Sequence, residues 1–405
     1  MVQLRRVTGF LGLRRSIVGM LSIVILVGMG ERMAERFLPI YLLALGGGAL
    51  SIGLLGGLQN LLGALYSFPG GYLADRIGVK RSLLVFNLVA ITGFLLVVFL
   101  PVWQAVIIGA FFFLAWSAVS LPATMSLIAT VLPKQKRTMG VSMHSLIRRI
   151  PMALGPLVGG ALIGIWGERD GVRYAFVAAA AMGAIAIFLQ QWLLHDDRPG
   201  GANNGPVQEL EKNPLRVLAG MSASLRSLLV ADILIRFCEQ IPYAWVVVWA
   251  MQKEVPHPLF HPVTAFQFGV LTAIEMATAS LVYLPVAHLA DRTAKKPFVV
   301  LTFVFFTLFP MVLFFSRSFA ALVFAFILRG LKEFGEPTRK SLILDLSPEG
   351  KQAATFGTYY LVRDVIVSVA AFGGYYLWTI SPATNLFSAF AFGVIGTVWF
   401  AAKGR

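Results

Sequence analysis

The chain has 405 residues, of which 58% are hydrophobic and only 13% are charged. Soluble globular domains carry about a quarter of their residues as Asp, Glu, Lys or Arg, so this chain has roughly half of the usual charge. Its composition excludes a water-soluble enzyme and a soluble nucleic-acid-binding domain, and it indicates an integral membrane protein. The net charge of +15 then has to be explained by where the basic residues lie.

Apolar segments recur along the whole chain. A helix needs about 20 predominantly apolar residues to cross a bilayer. Twelve segments are long enough, and we number them as spans 1 to 12. They cover residues 17–44, 50–74, 81–100, 103–131, 138–166, 172–194, 225–251, 264–290, 297–316, 318–346, 352–379 and 383–402. We therefore predict an all-α integral membrane protein with twelve transmembrane helices.

Two kinds of polar sequence flank these spans. A basic N-terminal stretch precedes span 1 without a small-residue cleavage site, so span 1 is expected to be a retained helix. The sequence RPGGANNGP after span 6 has the composition of a flexible linker. We predict two six-helix bundles, residues 1–194 and 224–405, joined by a cytoplasmic linker at residues 195–223.

Basic residues divide unequally when the spans are threaded with the N-terminus inside. About 20 Lys and Arg residues fall on the inner side, and four fall on the outer side. The four are Arg169, Arg173, Lys253 and Arg317. Since cytoplasmic loops are enriched in Lys and Arg, we predict a multi-pass protein of the cytoplasmic membrane with both termini inside. Topology accounts for the basic charge, and no nucleic-acid partner is expected.

The two halves of the chain resemble each other. PATMSLIATVLPKQK begins at Pro122 and PTRKSLILDLSPEGK begins at Pro337, 215 residues later, and both fit P-x3-S-L-I-x4-P-x2-K. YLADRIGVK, which contains Asp75, is repeated 216 residues later as HLADRTAKK, which contains Asp291. Repeats at matching displacements predict two pseudo-symmetric bundles that arose by duplication.

The turn between spans 2 and 3 carries the most specific motif, G-x3-D-R-x-G-x-[KR]-[KR]. Its defined positions are filled by Gly71, Asp75, Arg76, Gly78, Lys80 and Arg81. This motif resembles the signature of the major facilitator superfamily, which implies a fold of two six-helix bundles and transport by alternating access. The resemblance also implies that the turn is a conformational latch between the halves. The second copy, with Asp291 and Arg292, keeps fewer of the positions, so we expect a weaker latch there.

Span 5 carries a second motif, GPxxGG, formed by Gly155, Pro156, Gly159 and Gly160. It resembles the core of a motif found in exporters of the superfamily, where it is thought to shape the helix for antiport. A proline kinks a helix, and glycines four residues apart let two helices pack closely. The upstream glycines are missing and Pro151 takes one of their positions, so ordinary helix packing is the alternative. The motif favours the drug:proton antiporter branch.

Charged residues are concentrated in the spans that line the central cavity in this fold. A charge near the bilayer centre costs several kcal/mol unless it is paired or hydrated, so these charges predict a polar pathway. On span 7, Asp232, Arg236 and Glu239 form one stripe with the arginine between two acids. Span 10 carries Arg329, Lys332, Glu333, Glu336, Arg339 and Lys340. Our candidates for proton coupling and the substrate cavity are Glu31, Arg32, Glu35, Arg36, Arg149, Asp232, Arg236, Glu239, Glu275, Lys332, Glu333, Glu336, Arg363 and Asp364.

Some of these acids are candidates for carrying a proton. A buried carboxylate without a fixed partner can bind and release a proton near neutral pH. Glu275 is the first candidate because span 8 offers it no basic neighbour, and Glu31 and Glu35, one turn apart on span 1, are the next. A structural ion pair is the alternative for each acid, and Arg32 can pair with Glu35 at the (i, i+3) spacing.

The sequence also indicates the energy source for transport and the partners of the protein. No G-x4-G-K-[ST] phosphate loop occurs, so an ion or substrate gradient is expected to drive transport. We expect no cofactor and no metal site, and we expect a monomer. We predict proton-coupled export of amphipathic or cationic small molecules. Two alternatives stay open: a proton-coupled importer of an anionic metabolite held by arginines such as Arg236 or Arg363, and a non-transporting sensor or lipid-handling protein on the same scaffold.

Overall fold

The computed structural model describes residues 15–77, 79–114, 137–193, 214–252, 262–290, 294–348 and 352–404. Within these ranges all regular secondary structure is α-helical. The helices are α1 (Arg15–Glu35), α2 (Leu38–Ala44), α3 (Gly48–Ile77), α4 (Val79–Phe99), α5 (Trp103–Leu114), α6 (Arg137–Leu193), α7 (Pro214–Ala219), α8 (Ala223–Tyr243), α9 (Trp245–Met251), α10 (Ala265–Ala290), α11 (Lys295–Phe315), α12 (Phe319–Leu331), α13 (Glu336–Asp345), α14 (Gln352–Ile380) and α15 (Pro382–Lys403).

Every predicted span coincides with a described helix or with two successive helices, although span 4 is described only as far as Leu114. Among the described residues, seven helical stretches are long and apolar enough to cross a membrane, and α8 with α9 forms an eighth. α6 contains both span 5 and span 6, which are separated at Gly167 with φ 80° and ψ 175°. A positive φ is readily adopted by glycine. The prediction of an all-α protein with membrane-crossing helices is confirmed.

Two spans that we predicted as continuous helices are interrupted at or near a proline. Span 1 divides into α1 and α2, and α2 has Pro39 in its first turn. Span 7 divides into α8 and α9, which are bent by 41° relative to each other just after Pro242. Proline cannot donate a backbone hydrogen bond and it clashes with the preceding turn, so it interrupts a helix at these places.

Span 10 is also broken, between α12 and α13. Residues 332–335 form tight turns, in which Glu333 N donates to Gly330 O at 3.2 Å and Phe334 N donates to Leu331 O at 2.9 Å. The backbone N–H of Gly335 leaves the helical pattern and donates to Thr302 Oγ1 on α11 at 2.7 Å. The neighbouring helix therefore satisfies a donor that the break would otherwise leave unpaired.

Backbone contacts divide the chain into two compact units. The first comprises residues 1–47 and 62–206, and the second comprises residues 48–61 and 207–405. The beginning of α3 thus belongs to the second unit and the rest of α3 to the first. The bundle boundaries expected from the sequence stay a prediction, and of the expected linker only the part that includes α7 is described.

The core of the first unit contains an aromatic cluster from four helices. Phe176 on α6 lies 6.0 Å from Phe94 on α4, 5.8 Å from Phe113 on α5 and 6.3 Å from Tyr41 on α2, measured between ring centroids. All four side chains are at most 3% exposed. Tilted aromatic contacts at these distances add to the stabilisation from apolar burial, so the cluster holds these four helices together.

In the second unit, α8 packs against α11, α14 and α15. Phe303 on α11 and Phe400 on α15 are fully buried and lie 5.5 Å apart between centroids. The side chain of Asn385 on α15 donates to the carbonyl oxygens of Ile241 at 3.2 Å and Gly374 at 2.9 Å. One buried amide therefore joins the ends of three helices, and Gly374 packs directly against the backbone of α8 at Ile241.

We predict that Gly374→Ala lowers the free energy of unfolding by about 1–3 kcal/mol, because the added Cβ would collide with the backbone of Ile241. Gly373→Ala is the matched control, since no described atom lies within 4 Å of the Cβ added there. Helix propensity should make this control up to about 1 kcal/mol more stable. Thermal unfolding of both variants in one detergent measures the difference, and equal midpoints would contradict this packing.

Candidate functional site

Eleven charged side chains of the second unit form one connected series of ion pairs between cations and carboxylates. The described members are six cations and five carboxylates, so their formal charges sum to +1. Ten of them alternate in sign in the order Arg329, Glu275, Lys332, Glu239, Arg236, Glu336, Arg339, Asp232, Arg363 and Asp364, and Lys340 branches from Glu336 at 3.4 Å. We call this group the ion-pair series.

The first part of the series connects α10, α12 and α8. Glu275 Oε1 lies 3.3 Å from Arg329 Nε and 3.5 Å from Lys332 Nζ. Lys332 Nζ also donates to Glu239 Oε1 at 2.8 Å. α12 can approach α10 this closely because a Cβ at Gly330 would lie only 2.7 Å from Thr278 Cβ. The break after α12 places Lys332 where it reaches two carboxylates.

This arrangement changes the interpretation of Glu275. The sequence indicates a carboxylate without a basic neighbour, and that is true of its own helix only. In the structure, Arg329 and Lys332 approach Glu275 from span 10, and its side chain is fully buried. The premise that Glu275 lacks a cationic partner is therefore wrong, because partners on another helix are invisible to an argument from local spacing.

Arg236 connects the first and second parts of the series. Its Nη1 donates to Glu239 Oε2 at 2.6 Å, and its Nη2 lies 3.8 Å from Glu336 Oε2. The guanidinium also lies over the ring of Phe306, 5.5 Å from the centroid. Of the two acids in the stripe predicted on span 7, Glu239 pairs with Arg236, whereas Asp232 pairs with arginines from other helices.

Asp232 is the most enclosed carboxylate of the second part. It is fully buried and pairs with Arg339 and with Arg363 Nη1 at 3.3 Å, and it accepts a hydrogen bond from Tyr359 Oη at 3.1 Å. Arg339, also fully buried, pairs in addition with Glu336. Two cations and a hydroxyl thus replace the water around one carboxylate, as a charge in an apolar interior requires.

The series ends at Asp364 on α14, where it becomes partly exposed. Arg363 Nη2 lies 2.7 Å from Asp364 Oδ1, and its guanidinium stacks 4.2 Å from the ring centroid of Tyr360. The Asp364 side chain is 30% exposed, whereas Arg363 is 8% exposed. Glu333, another sequence candidate, is half-buried in the break of span 10.

A cavity lies beside the series. Its accessible volume is about 10 Å³, room for roughly one water molecule. Its walls are formed by Cys238, Glu239, Val246, Phe305, Phe306, Phe309, Arg329 and Lys332. Cys238, the only cysteine of the chain, donates a weak hydrogen bond to the carbonyl oxygen of Phe306 at 3.4 Å. The cavity therefore combines aromatic walls with three members of the ion-pair series.

The candidates of the first unit lie mainly on α1. Arg32 and Glu35 form the predicted (i, i+3) ion pair. Glu31 is 7% exposed, and Arg36 and Arg149 are half-buried. These residues place both acidic and basic groups within one short stretch of the first unit.

The GPxxGG motif packs on this charged part of α1. A Cβ at Gly155 would lie 2.6 Å from Arg32 Cβ, and a Cβ at Gly159 would collide with the carbonyl oxygen of Met33. Pro156 and Gly160 of the motif are buried as well. Since only glycine permits such an approach, the motif sets the distance between α6 and α1.

The predicted latch is described only in part. The backbone of Gly71, Asp75 and Arg76 belongs to α3, but their side chains lie outside the described residues, as do Gly78, Asp291 and Arg292 altogether. Lys80 Nζ donates to the carbonyl oxygen of Gln191 at 3.1 Å, and Arg81 is exposed. The role of the latch stays a prediction.

Several members of the site were absent from the sequence candidates. Arg329 and Arg339 complete the series, and Tyr359 binds Asp232. A signal for the two arginines existed, because Arg329, Lys332, Glu336 and Arg339 follow one another at spacings of three and four residues, which place them on one helix face. No comparable signal indicates Tyr359. In the described part of the chain, no group of three His, Cys, Asp or Glu side chains could hold a metal ion.

Comparison with known sequences identifies relatives over most of the chain. The family described as Major Facilitator Superfamily matches residues 20–260. The uncharacterized MFS-type transporter MJ1317 of Methanocaldococcus jannaschii is 23% identical over 364 residues, which are 87% of this chain and 86% of that protein. The quinolone resistance protein NorA of Staphylococcus aureus is 27% identical over 192 residues, which are 46% of this chain and 47% of NorA.

Solved structures with the same fold are known. The nucleoside transporter NupG superposes with a TM-score of 0.79 at 14% sequence identity, covering 96% of this chain and 100% of that one. The human organic anion transporter MFSD10 superposes with a TM-score of 0.64 at 14% identity, covering 95% of this chain and 99% of that one. At these identities the likeness concerns the fold alone.

We predict that the free energy of unfolding depends on the charge balance of the ion-pair series. Glu239→Gln or Lys332→Met alone is expected to lower the free energy of unfolding by about 3–5 kcal/mol, because each leaves a buried charge without its partner. The double variant should lose less than the sum, because it restores the net charge of the unmodified series and removes both partners of one ion pair. Thermal unfolding in one detergent measures the four proteins.

The control for this cycle is the more exposed ion pair between Lys295 and Asp345, whose carboxylate is 55% exposed. Asp345→Asn is expected to cost at most about 1 kcal/mol. Strict additivity of Glu239→Gln and Lys332→Met would argue against a coupled series.

Proposed function

Because the chain belongs to the major facilitator superfamily and is a multi-pass membrane transporter rather than an enzyme, we propose that it exports amphipathic small molecules in exchange for protons. The observation that carries this proposal is the seating of Gly155 and Gly159 against Arg32 and Met33 of α1. The motif resembles that of exporters, and here it joins α6 to the turn of α1 that carries the acids of the first unit. The similarity to the quinolone resistance protein NorA supports the same direction.

Proton exchange requires a carboxylate that changes its partners during the transport cycle. We propose Glu275 for this role. Its cations lie 3.3 and 3.5 Å away, whereas those of Glu239 lie 2.8 and 2.6 Å away, so its ion pairs are the looser ones. A carboxylate between two cations stays ionised until they move away. Movement of α12 relative to α10 would separate Glu275 from Arg329 and create the state that binds a proton.

A second candidate function is proton-coupled uptake of an anionic metabolite, and the excess of cations in the ion-pair series favours it. A proton on Glu275 would raise the net charge of the series from +1 to +2, and an anion beside its arginines would offset the added charge. Uncompensated charge in an apolar interior is costly, so proton and anion would then move in the same direction.

We also propose the setting in which the protein works. Both termini would face the cytoplasm, with the chain in the cytoplasmic membrane, because about 20 basic residues fall on one side of the threaded spans and four on the other. Its partners would be a small-molecule substrate, protons and lipid, and it would act as a monomer without a cofactor.

We predict that reconstituted protein drives a permanently charged amphipathic cation, such as tetraphenylphosphonium, into liposomes with an acidic interior. Exchange moves a proton out as the cation enters, and this direction of the pH gradient drives accumulation whichever way the protein is inserted. A dye inside the liposomes reports proton loss, with potassium and valinomycin holding the membrane potential at zero. Protein-free liposomes are the control.

The opposite gradient tests the second candidate. Accumulation of naphthalenesulfonate in liposomes with an alkaline interior would support proton-coupled anion uptake and contradict exchange. Glu275→Gln should abolish gradient-driven accumulation while exchange of labelled for unlabelled substrate continues, and Asp345→Asn should behave as the unmodified protein. Persisting accumulation in Glu275→Gln would assign the proton to another group.

We predict that Gly159→Ala lowers the transport rate by about tenfold or more, because the added methyl group forces α6 away from α1, and small displacements of transport helices have large kinetic effects. Gly164→Ala on the same helix is the matched control, since no described atom lies within 4 Å of the Cβ added there. Initial rates in liposomes, corrected for the amount of folded protein, measure the effect. Equal rates would remove the support that the motif gives to export.

A further inference from the structure

We propose that the break in span 10 is a two-state element, and that Thr302 on α11 is the positioning residue that holds it in the broken form. In the other form, α12 and α13 join into one continuous helix. Lys332 lies within the break and contacts two carboxylates of the second unit, so the two forms differ in how the ion-pair series is connected. This property of span 10 depends neither on the direction of transport nor on the coupling ion.

The break is a short stretch of 3₁₀ geometry. Four backbone N–H groups donate to the carbonyl oxygen three residues earlier, at 2.9 to 3.4 Å, namely those of Lys332, Glu333, Phe334 and Glu336. In an α-helix the acceptor lies four residues earlier. Gly335 departs from both patterns, because its N–H donates to Thr302 Oγ1 on α11 at 2.7 Å.

A continuous helix would satisfy the same backbone donors. The N–H of Gly335 would pass from Thr302 Oγ1 to the carbonyl oxygen of Leu331. The N–H of Phe334, which donates to Leu331 O at 2.9 Å in the broken form, would pass to the carbonyl oxygen of Gly330. Neither form then carries the cost of an unpaired buried N–H. Two arrangements without an unpaired donor are what a two-state element requires.

Contacts from α11 hold the broken form. Thr302 is fully buried, and its Oγ1 donates to Phe298 O at 2.9 Å while it accepts from Gly335 N. The bond to Phe298 orients the hydroxyl toward Gly335, and Thr302 keeps this bond when Gly335 leaves. The ring of Phe334 packs on the same helix, with its centroid 5.8 Å from Phe298 and 6.0 Å from Phe305.

Two glycines fix the ends of the break on different helices. A Cβ at Gly330 would lie 2.5 Å from the carbonyl oxygen of Glu275 on α10, and a Cβ at Gly335 would lie 2.6 Å from that of Phe298 on α11. Such close approach to a backbone is possible only for glycine. A movement of α10 relative to α11 would therefore act on the residues between the two glycines, and Lys332 is one of them.

Conversion of the break would rearrange both parts of the ion-pair series. A 3₁₀ residue turns the chain by about 120° and an α-helical residue by about 100°, so four converted residues turn α13 relative to α12 by about 80°. α13 carries Arg339, which pairs with Asp232. Lys332 converts as well, so its ammonium group would leave Glu239, to which it donates at 2.8 Å in the broken form.

A double-mutant cycle of Glu239→Gln and Lys332→Met measures whether Lys332 occupies its position in the broken form. Thr302→Val keeps the shape of the side chain and removes the acceptor of Gly335, so it favours the continuous helix. Thr302→Ser keeps the hydroxyl and is the matched control. We expect the coupling between Glu239 and Lys332 to be lost in Thr302→Val and retained in Thr302→Ser. Thermal unfolding of the full chain in one detergent measures both cycles, without substrate or gradient.

A purely structural role of Thr302 would give another result. Thr302→Val would then lower the midpoint of unfolding, because the N–H of Gly335 loses its acceptor, but the coupling between Glu239 and Lys332 would stay intact. That outcome would overturn the two-state element. Loss of the coupling in Thr302→Ser as well would overturn the role of the hydroxyl.

Gly335→Ala is a second, independent variant. Its added Cβ would collide with Thr302 Oγ1 and Phe298 O, and alanine favours a continuous helix, so we expect the same loss of coupling. Gly357→Ala is the control, since no described atom lies within 4 Å of the Cβ added there. Retained coupling in Gly335→Ala would contradict the proposed exchange of hydrogen bonds.

Spin labels report the shape of span 10 directly. Phe324→Cys on α12 and Asp345→Cys on α13 place labels at exposed positions on either side of the break, whereas the native Cys238 is fully buried. We expect Thr302→Val to shift the distance between the labels, measured by pulsed electron paramagnetic resonance, and Thr302→Ser to leave it unchanged. An identical distance distribution in Thr302→Val would overturn the proposal.

Discussion

The second unit is organised by the requirement that a charge in an apolar interior has a partner. The ion-pair series meets this requirement by placing every one of its cations against a carboxylate. Its members come from α8, α10, α13 and α14, from α12 and from the break that follows α12. Removing a cation leaves the buried carboxylates on either side of it without that partner, which is costly. The positions of these helices therefore depend on one another. A chain with only 13% charged residues thus places eleven of them in one connected series of ion pairs.

The break in span 10 relates the pairing of these buried charges to helix movement. In a continuous helix, Lys332 would follow the direction of α12, whereas the tight turns of residues 332–335 let its ammonium group contact both Glu239 and Glu275. The backbone donor released at Gly335 is satisfied by Thr302, so the break is accommodated by the neighbouring helix. Short stretches of such turns within a helix often mark hinges. The ion pairs of Glu275, at 3.3 and 3.5 Å, lie directly beside this break.

Local sequence information predicted the spans, the all-α fold and the ion pair between Arg32 and Glu35, because each depends on residues close together in the chain. The partners of Asp232 could not be predicted in the same way. Arg339 and Arg363 lie 107 and 131 residues further along, and hydrophobic periodicity indicates which face of a helix is buried but not which helix covers it. The corrected interpretation of Glu275 has the same cause, since its cations also come from another helix.

The charge balance of the ion-pair series bears on the proton proposed for Glu275. Its described members, six cations and five carboxylates, sum to +1, and a proton on Glu275 would raise the sum to +2. An amphipathic cation in contact with the series would add charge of the same sign and compete with that proton. An anion would offset the added charge, so anion and proton would strengthen the binding of each other, and linkage makes the effect reciprocal. The charge of the transported molecule therefore decides whether this site couples its movement with a proton or against one.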